Sequence, residues 1–335
     1  MDVLNALVAF LNFVVVPAAS YGAQLALGAL GVTLIYAVLR FSNFAHADTM
    51  SFGAMIVILI TWWLQSLGVS FGPLPTALLA LPAGIVVTAA LLLVIDRLVY
   101  RFYRQKKANP TILVIVSLGV MFIVGSIVRF VIGVAEQNFA DGSRFIISAG
   151  DFRELTGLEE GLAIKTSQAV TLVTTAIAVT ALFWFLQKTR TGKSMRAFSD
   201  NEDLALLSGI SPDRVVAVTW IITAALAVTA GVLYGLEKSY KPFTYFQLSL
   251  PIFAAAIVGG IGNPLGAVAG GFIVAFSEVF VTYAWRKVAG YILPESLMPD
   301  GLMQLLSTDY KFAVSFAILV LVLLFMPTGL FRGKT

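Results

Sequence analysis

The sequence predicts an all-α, polytopic transmembrane helix bundle of about eight spans, some of them broken or re-entrant. Three observations predict it. The 335 residues are 59% hydrophobic and only 12% charged, against roughly 45–50% and 25% for a soluble domain. The apolar residues are gathered in runs close to the roughly 20 residues that a membrane-crossing helix needs. The basic residues fall in short segments between those runs, so the formal charge of +4 does not suggest a nucleic-acid partner. The chain therefore reads as a single membrane domain, 1–335, rather than as a string of soluble units. It has no cysteine, which removes disulfides, thiolate metal sites and cysteine nucleophiles.

The elements follow in order. Residues 3–16 are apolar but have no basic residue before them, so they read as a membrane-inserted lead-in and not as a cleaved signal. From Ser20 to Leu67 the chain is apolar apart from Arg40–Asp48. One helix of that length would run roughly 70 Å, more than twice the roughly 30 Å of hydrocarbon. The polar cluster is where it breaks, into spans at 20–40 and 49–67. Further spans fall at 76–96, 111–134, 167–187, 215–236 and 311–327. Gly259-Gly-Ile-Gly-Asn-Pro-Leu-Gly266 is a breaker inside apolar sequence, and Pro264 has no N–H to continue a helix. We expect a short element at 248–260, a turn, and a full span at 264–285.

Orientation follows the distribution of Lys and Arg. Arg97, Arg101, Arg104, Lys106 and Lys107, the loop at 188–214, and a tail with Arg332 and Lys334 are expected to be cytoplasmic. The loop at 135–166 is acid-rich, with Glu136, Asp141, Asp151, Glu154, Glu159 and Glu160, and is expected outside. Parity then requires 248–285 to enter and leave on the outer side. It also puts the N-terminus outside, provided 3–16 make no crossing of their own.

Four features carry the functional reading. The loop at 188–214 contains a helical stretch that Ser199 or Asp200 can cap and Gly209 can end. Leu204, Leu207 and Ile210 form an apolar strip on it, which either meets a partner or lies against the chain's own bundle. Gly192-Lys193-Ser194 resembles the end of a phosphate-binding loop, but Gln187 stands where the first glycine is required and an apolar span precedes it instead of a strand. No nucleotide or other cofactor is expected in this chain. The polar break Asn43-Phe-Ala-His-Ala-Asp48 is either a lining of a solute path or a hydrogen-bonded corner in which His46 and Asp48 satisfy backbone groups. One His and one Asp supply too few ligands for a metal. Gly262, Gly266 and Gly270 are spaced for close helix packing, the alternative being solute passage past exposed backbone. Arg129 and Glu278 fall near the outer ends of spans, where snorkelling is cheap.

Together, four segments resemble the permease subunits of branched-chain amino-acid ATP-binding-cassette (ABC) importers, the LivH type. They are Tyr36…Asn43-Phe-Ala-His46, the Thr189–Arg214 loop, Ile257-Val-Gly-Gly-Ile-Gly-Asn-Pro-Leu-Gly-Ala267, and Tyr310-Lys…Met326-Pro-Thr-Gly329. Their order covers nearly the whole chain. The sequence departs from the family at Ala47-Asp48, where Gly and then an acid are usual. It also departs at Asp203-Leu204-Ala205-xxx-Gly209, which stands for Glu-Ala-Ala-xxx-Gly. The resemblance implies a multi-pass protein of the bacterial inner membrane, with no catalysis of its own. It implies a second permease subunit of LivM type, two cytoplasmic ATPases and a periplasmic substrate-binding protein. Arg196, Asp203, Leu204, Ala205 and Gly209 would then couple to the ATPase. Asn43, His46, Asp48, Gly259, Gly260 and Asn263 are the expected path residues. The substrate is a branched-chain or related small amino acid, with urea, amides or other small solutes as alternatives within the family. An ion-coupled carrier would usually place acids or histidines deep within spans, which this sequence nearly lacks. A membrane-embedded enzyme would need a convergent set of nucleophile, base or metal ligands; one His and no Cys argue against it.

Overall fold

The structure, a computed structural model, describes residues 2–139, 144–292, 301 and 303–331. Asp141, Arg332 and Lys334 lie outside the described residues. Nine of the helices among the described residues are long and apolar enough to cross a membrane. They are α1 (Asp2–Leu39), α2 (His46–Ser66), α3 (Ala77–Gln105), α4 (Pro110–Ile132), α6 (Thr166–Lys188), α9 (Pro212–Lys238), α10 (Pro242–Gly259), α11 (Pro264–Thr282) and α13 (Thr308–Phe325). Four short helices complete the set: α5 (Ala149–Thr156), α7 (Arg190–Asp200), α8 (Glu202–Leu207) and α12 (Arg286–Ala289). A two-stranded hairpin pairs β1 (Phe145–Ile147) with β2 (Ile164–Lys165).

Residues 3–16 do not cross separately. They are the start of α1, which runs unbroken through a single π turn at Leu11–Val15. At 38 residues α1 is about 57 Å long, so one end must project. That end is the N-terminal one. Asn5 accepts a hydrogen bond from the Glu160 N–H (3.4 Å), Asn12 accepts one from Ala163 N–H (2.9 Å), and Phe10 stacks on Trp285. The rest of α1 is buried along nearly its whole length, packed against α9 and α11 at the centre of the bundle.

The expected short element at 248–260 is a correction. α10 starts six residues earlier, at Pro242, and its 18 residues span about 27 Å. Pro242 occupies the first turn, where no N–H is needed and its φ is already helical. Pro251 is accommodated inside the helix at the loss of one intrahelical bond. This adds the ninth span.

Hydrogen bonds identify the two ends of the bundle. At one end Gln137 and Tyr240 exchange backbone bonds of 2.8 Å, Trp62 donates to the Asn138 carbonyl, and Lys287 pairs with Glu160 at 2.8 Å. At the other end Arg101 pairs with Asp213 at 2.9 Å, Arg40 donates to the Ser199 carbonyl, and Asn263 donates to the Phe331 carbonyl at 3.0 Å. α10 leaves the first end just after Tyr240, and α11 returns to it, where Gln304 donates to the Thr282 carbonyl. The pair α10–α11 therefore enters and leaves at one end, as expected, but its turn at 260–263 reaches the opposite end.

Candidate translocation path and coupling surface

Between α1 and α2 the backbone is not helical. α1 closes at Arg40, a left-handed residue (φ 57°). Residues 41–45 then run irregularly among buried neighbours before α2 begins at His46. Irregular backbone within a membrane protein needs internal partners, and the chain supplies them. Phe44 N–H donates to Ser117 Oγ at 3.1 Å. Asn43 Oδ1 accepts from Ala45 N–H and from the Tyr100 hydroxyl, both at 3.2 Å. Tyr100 stacks on Trp220, whose indole N–H donates to Asp96 Oδ1 at 2.9 Å, and Asp96 is paired with Arg104 at 2.8 Å.

Asn43 therefore holds its own backbone. His46 is buried with its ring against Gly31, where an added Cβ would stand 2.4 Å from Cε1. Its polar neighbour is the backbone of Gly28, one turn before Gly31 on α1. The corner is stitched chiefly by Asn43 and Ser117.

Asp48 is different. It is 4% exposed, its Oδ2 has no partner, and it lines a cavity of about 200 Å3 between α2, α4 and the start of α10. Arg129 lines the same cavity, its Nε donating to the Gly125 carbonyl at 2.9 Å. Asp48 Oδ1 and Arg129 Nη2 both close over Gly125, 2.6 and 2.9 Å from where a Cβ would be. Arg129 is thus not the snorkelling residue expected from the sequence, and Gly125 is an unexpected part of the site. The available signal was that Arg129 is the single charged residue in α4, four positions after a glycine. Glu278 falls near the outer end of α11, as expected, but it does not snorkel. It is 1% exposed, with Ser315 donating to its carboxylate and Tyr21 and Lys311 close by.

The other expected path residues lie at the end of the bundle. Gly260 (φ +103°) and Gly262 (φ +85°) make the α10–α11 turn. Gly259 meets the Gly266 carbonyl so closely that a Cβ would stand 2.0 Å from its oxygen. Asn263 caps α11, accepting from Leu265 and Gly266 N–H at 3.1 and 3.2 Å. Asn263 shares a second cavity, about 580 Å3, with Leu34, Val38, Lys193, Arg196 and Asp200. The turn thus sits beside the predicted coupling loop rather than midway along a path.

That loop is two helices. α7 runs through both Ser199 and Asp200, and the cap falls one residue later: Asn201 Oδ1 accepts from Leu204 N–H at 3.0 Å and starts α8. Glu202 and Asp203 occupy the first turn of α8, where acids suit the positive end of the helix dipole. Gly209 ends the element at φ +80°. Ala205 is buried, whereas Leu204 is 64% and Leu207 86% exposed. Leu206 joins them on the exposed side and Ile210 is half-buried. Three leucines, Leu204 and Leu207 foremost, are thus exposed on a short, capped element.

This architecture defines a multi-pass α-helical membrane protein. The family model described as branched-chain amino acid transport system / permease component matches residues 14–323, and the chain belongs to that family. It is similar to the high-affinity branched-chain amino acid transport system permease protein LivH of Escherichia coli (strain K12), 32% identical and covering 92% of this chain and 91% of the relative. It is also similar to BraD of Pseudomonas aeruginosa, named for the same transport system, at 29% identity over 92% of each chain. Among solved structures, PsaBC from Streptococcus pneumoniae in complex with Fab aligns over 93% of this chain and 91% of that one, with a TM-score of 0.45 and 11% identity. The chain is a permease subunit of an ABC importer in the inner membrane and not an enzyme.

Proposed function

We propose that this chain forms the membrane path for a branched-chain or similar small amino acid, pairs with a second, LivM-like permease subunit, and is driven by two cytoplasmic ATPases docked on α7–α8. A substrate-binding protein delivers solute at the opposite end, and no cofactor in this chain takes part. The relatives named for branched-chain amino acid transport support the substrate class. The basic residues around α7–α8 and after α3 support a cytoplasmic location for that end. The observation that carries the docking reading is the exposed pair Leu204 and Leu207 on a capped helix. An exposed apolar patch of this kind wants a groove.

The route for coupling is short. α8 packs on α7, and the carbonyl of Ser199 in α7 takes the guanidinium of Arg40. Arg40 closes α1 directly before the irregular segment that leads to Asp48. A displacement of α7–α8 is thereby delivered to the break. ATP drives the cycle only through a difference in ATPase affinity between the two states of the bundle.

The test is co-purification of tagged permease in mild detergent, wild type beside Leu207→Asp and Gly209→Arg. Leu207 touches too little for its substitution to unfold the bundle, so the thermal unfolding of that variant should match wild type while its ATPase is lost. Wild type that brings no ATPase, under conditions that preserve other ABC complexes, would sink the reading.

A further inference from the structure

The cavity beside the break has a composition that selects among small solutes. Its charged groups are one carboxylate, Asp48, and one guanidinium, Arg129. Among the described residues the two do not close into an ion pair; they stand on either side of the bare Cα of Gly125. Asp48 Oδ2 is buried and unpartnered, and a buried ionised group left so is costly until something pairs with it. Apart from Ser51, whose hydroxyl is held by Tyr240, the rest of the wall is apolar, with Met121, Phe243 and Phe246 foremost.

We infer that this cavity is a binding site for a zwitterionic α-amino acid with an apolar side chain. The α-ammonium meets Asp48, the α-carboxylate meets the fork of Arg129, and the side chain lies against Met121, Phe243 and Phe246. A guanidinium suits a carboxylate because its donors are planar and match both oxygens. Gly125 lets both side chains close over the backbone of α4; a methyl there would stand 2.6 Å from Asp48 Oδ1 and 2.9 Å from Arg129 Nη2 and would push the two groups out of place. A volume of about 200 Å3 fits one small solute, below the roughly 300–1,000 Å3 of pockets for drug-sized ligands. Urea or a neutral amide offers a charge to neither group, and a simple amine or acid engages only one of them. The site discriminates by what it leaves unpaired, the stronger kind of selection. This deepens the importer reading above and rests on it.

The experiment is equilibrium binding of tritiated leucine to the purified importer, with its ATPases but without the binding protein, in lipid nanodiscs. Valine and isoleucine are expected to compete; isoamylamine, 4-methylpentanoate and urea are expected not to. Asp48→Asn, Arg129→Gln and Gly125→Ala are each expected to weaken leucine binding at least tenfold, and Asp48→Glu less than Asp48→Asn. The competition profile on wild type needs no variant, so it decides the matter even if a substitution disturbs folding. The inference is overturned if isoamylamine or 4-methylpentanoate competes as well as valine. Folded variants that bind leucine undiminished overturn it too. An importer that retains its ATPases but takes urea in place of leucine overturns the site and the amino-acid substrate, and leaves only the ATPase-driven importer standing. A wild type without ATPases overturns the importer reading itself.

Discussion

Gly270 has no side chain because the carbonyl oxygen of Ala255 stands where its Cβ would be, 2.0 Å away. The same holds for Gly271 against the backbone of Ala26 and for Gly231 against the carbonyl of Met50. Where the obstacle is backbone, a methyl cannot be relieved by a rotamer change, so the two helices must separate. Overpacking typically costs about 1–3 kcal/mol, and Gly270→Ala should fall at the upper end, with lower folded yield and melting temperature in detergent. Gly119 lies in α4 with nothing within 4 Å of an added Cβ. Gly119→Ala should therefore be neutral or stabilising by up to about 1 kcal/mol. Equal losses from both substitutions, read by thermal unfolding on a sizing column, would show that helix contact is not what the glycines serve. The spacing of Gly262, Gly266 and Gly270 foretold close packing for two of the three. Gly262 falls in the turn, because Asn263 caps the helix one residue later, and spacing alone does not say where a helix begins.

At the scale of elements, α8 is six residues long, too short to be stable alone, so its ends decide whether it forms. Asn201 supplies the start and Gly209 the stop. Ser199, Asp200 and Asn201 are three consecutive good caps; the sequence therefore announces a helix start without choosing among them. Packing chooses: Met195 and Phe198 are buried in α7, which carries that helix through Asp200 and leaves Asn201 as the first extended residue. Asn201→Ala should cost about 1 kcal/mol, confined to α8. Global unfolding should then shift little, while ATPase retention and solute-coupled hydrolysis fall. Asn201→Asp, which keeps the cap, should restore both. If Asn201→Ala keeps full coupling, α8 is not the element that the ATPase grips. The site at Asp48 was half readable by the same logic. A polar residue within an apolar chain announces itself, but its partner lies 81 positions away on another helix. Only the packing of α2 on α4 brings Asp48 over Gly125 and beside Arg129.

For the whole molecule the question is which ends face which compartment, and the hairpin α10–α11 is the part on which the sequence was least informative. A glycine-rich break in apolar sequence fits a shallow re-entrant loop and a full crossing equally well; the difference lies in whether the preceding helix is 13 or 18 residues long. Pro242 and the tie from Tyr240 to Gln137 set the longer one, so the turn emerges beside α7. The absence of native cysteine makes the geometry directly measurable, since each introduced thiol is the sole one. Glu154→Cys, in the acid-rich loop, should react with a membrane-impermeant maleimide applied to intact cells from which the outer membrane has been removed. Asp203→Cys and Leu265→Cys should react only after the inner membrane is opened. Leu265 is the informative position, being 63% exposed at the start of α11. Labelling of that thiol from outside would make the hairpin re-entrant and separate it from the coupling loop. Labelling of Asp203→Cys from outside would invert the molecule and remove α8 from any cytoplasmic ATPase. Labelling in the expected pattern puts Arg196, Asn263 and the end of α1 on the ATPase side. One movement of α7 would then reach both the glycine turn and the break that leads to Asp48.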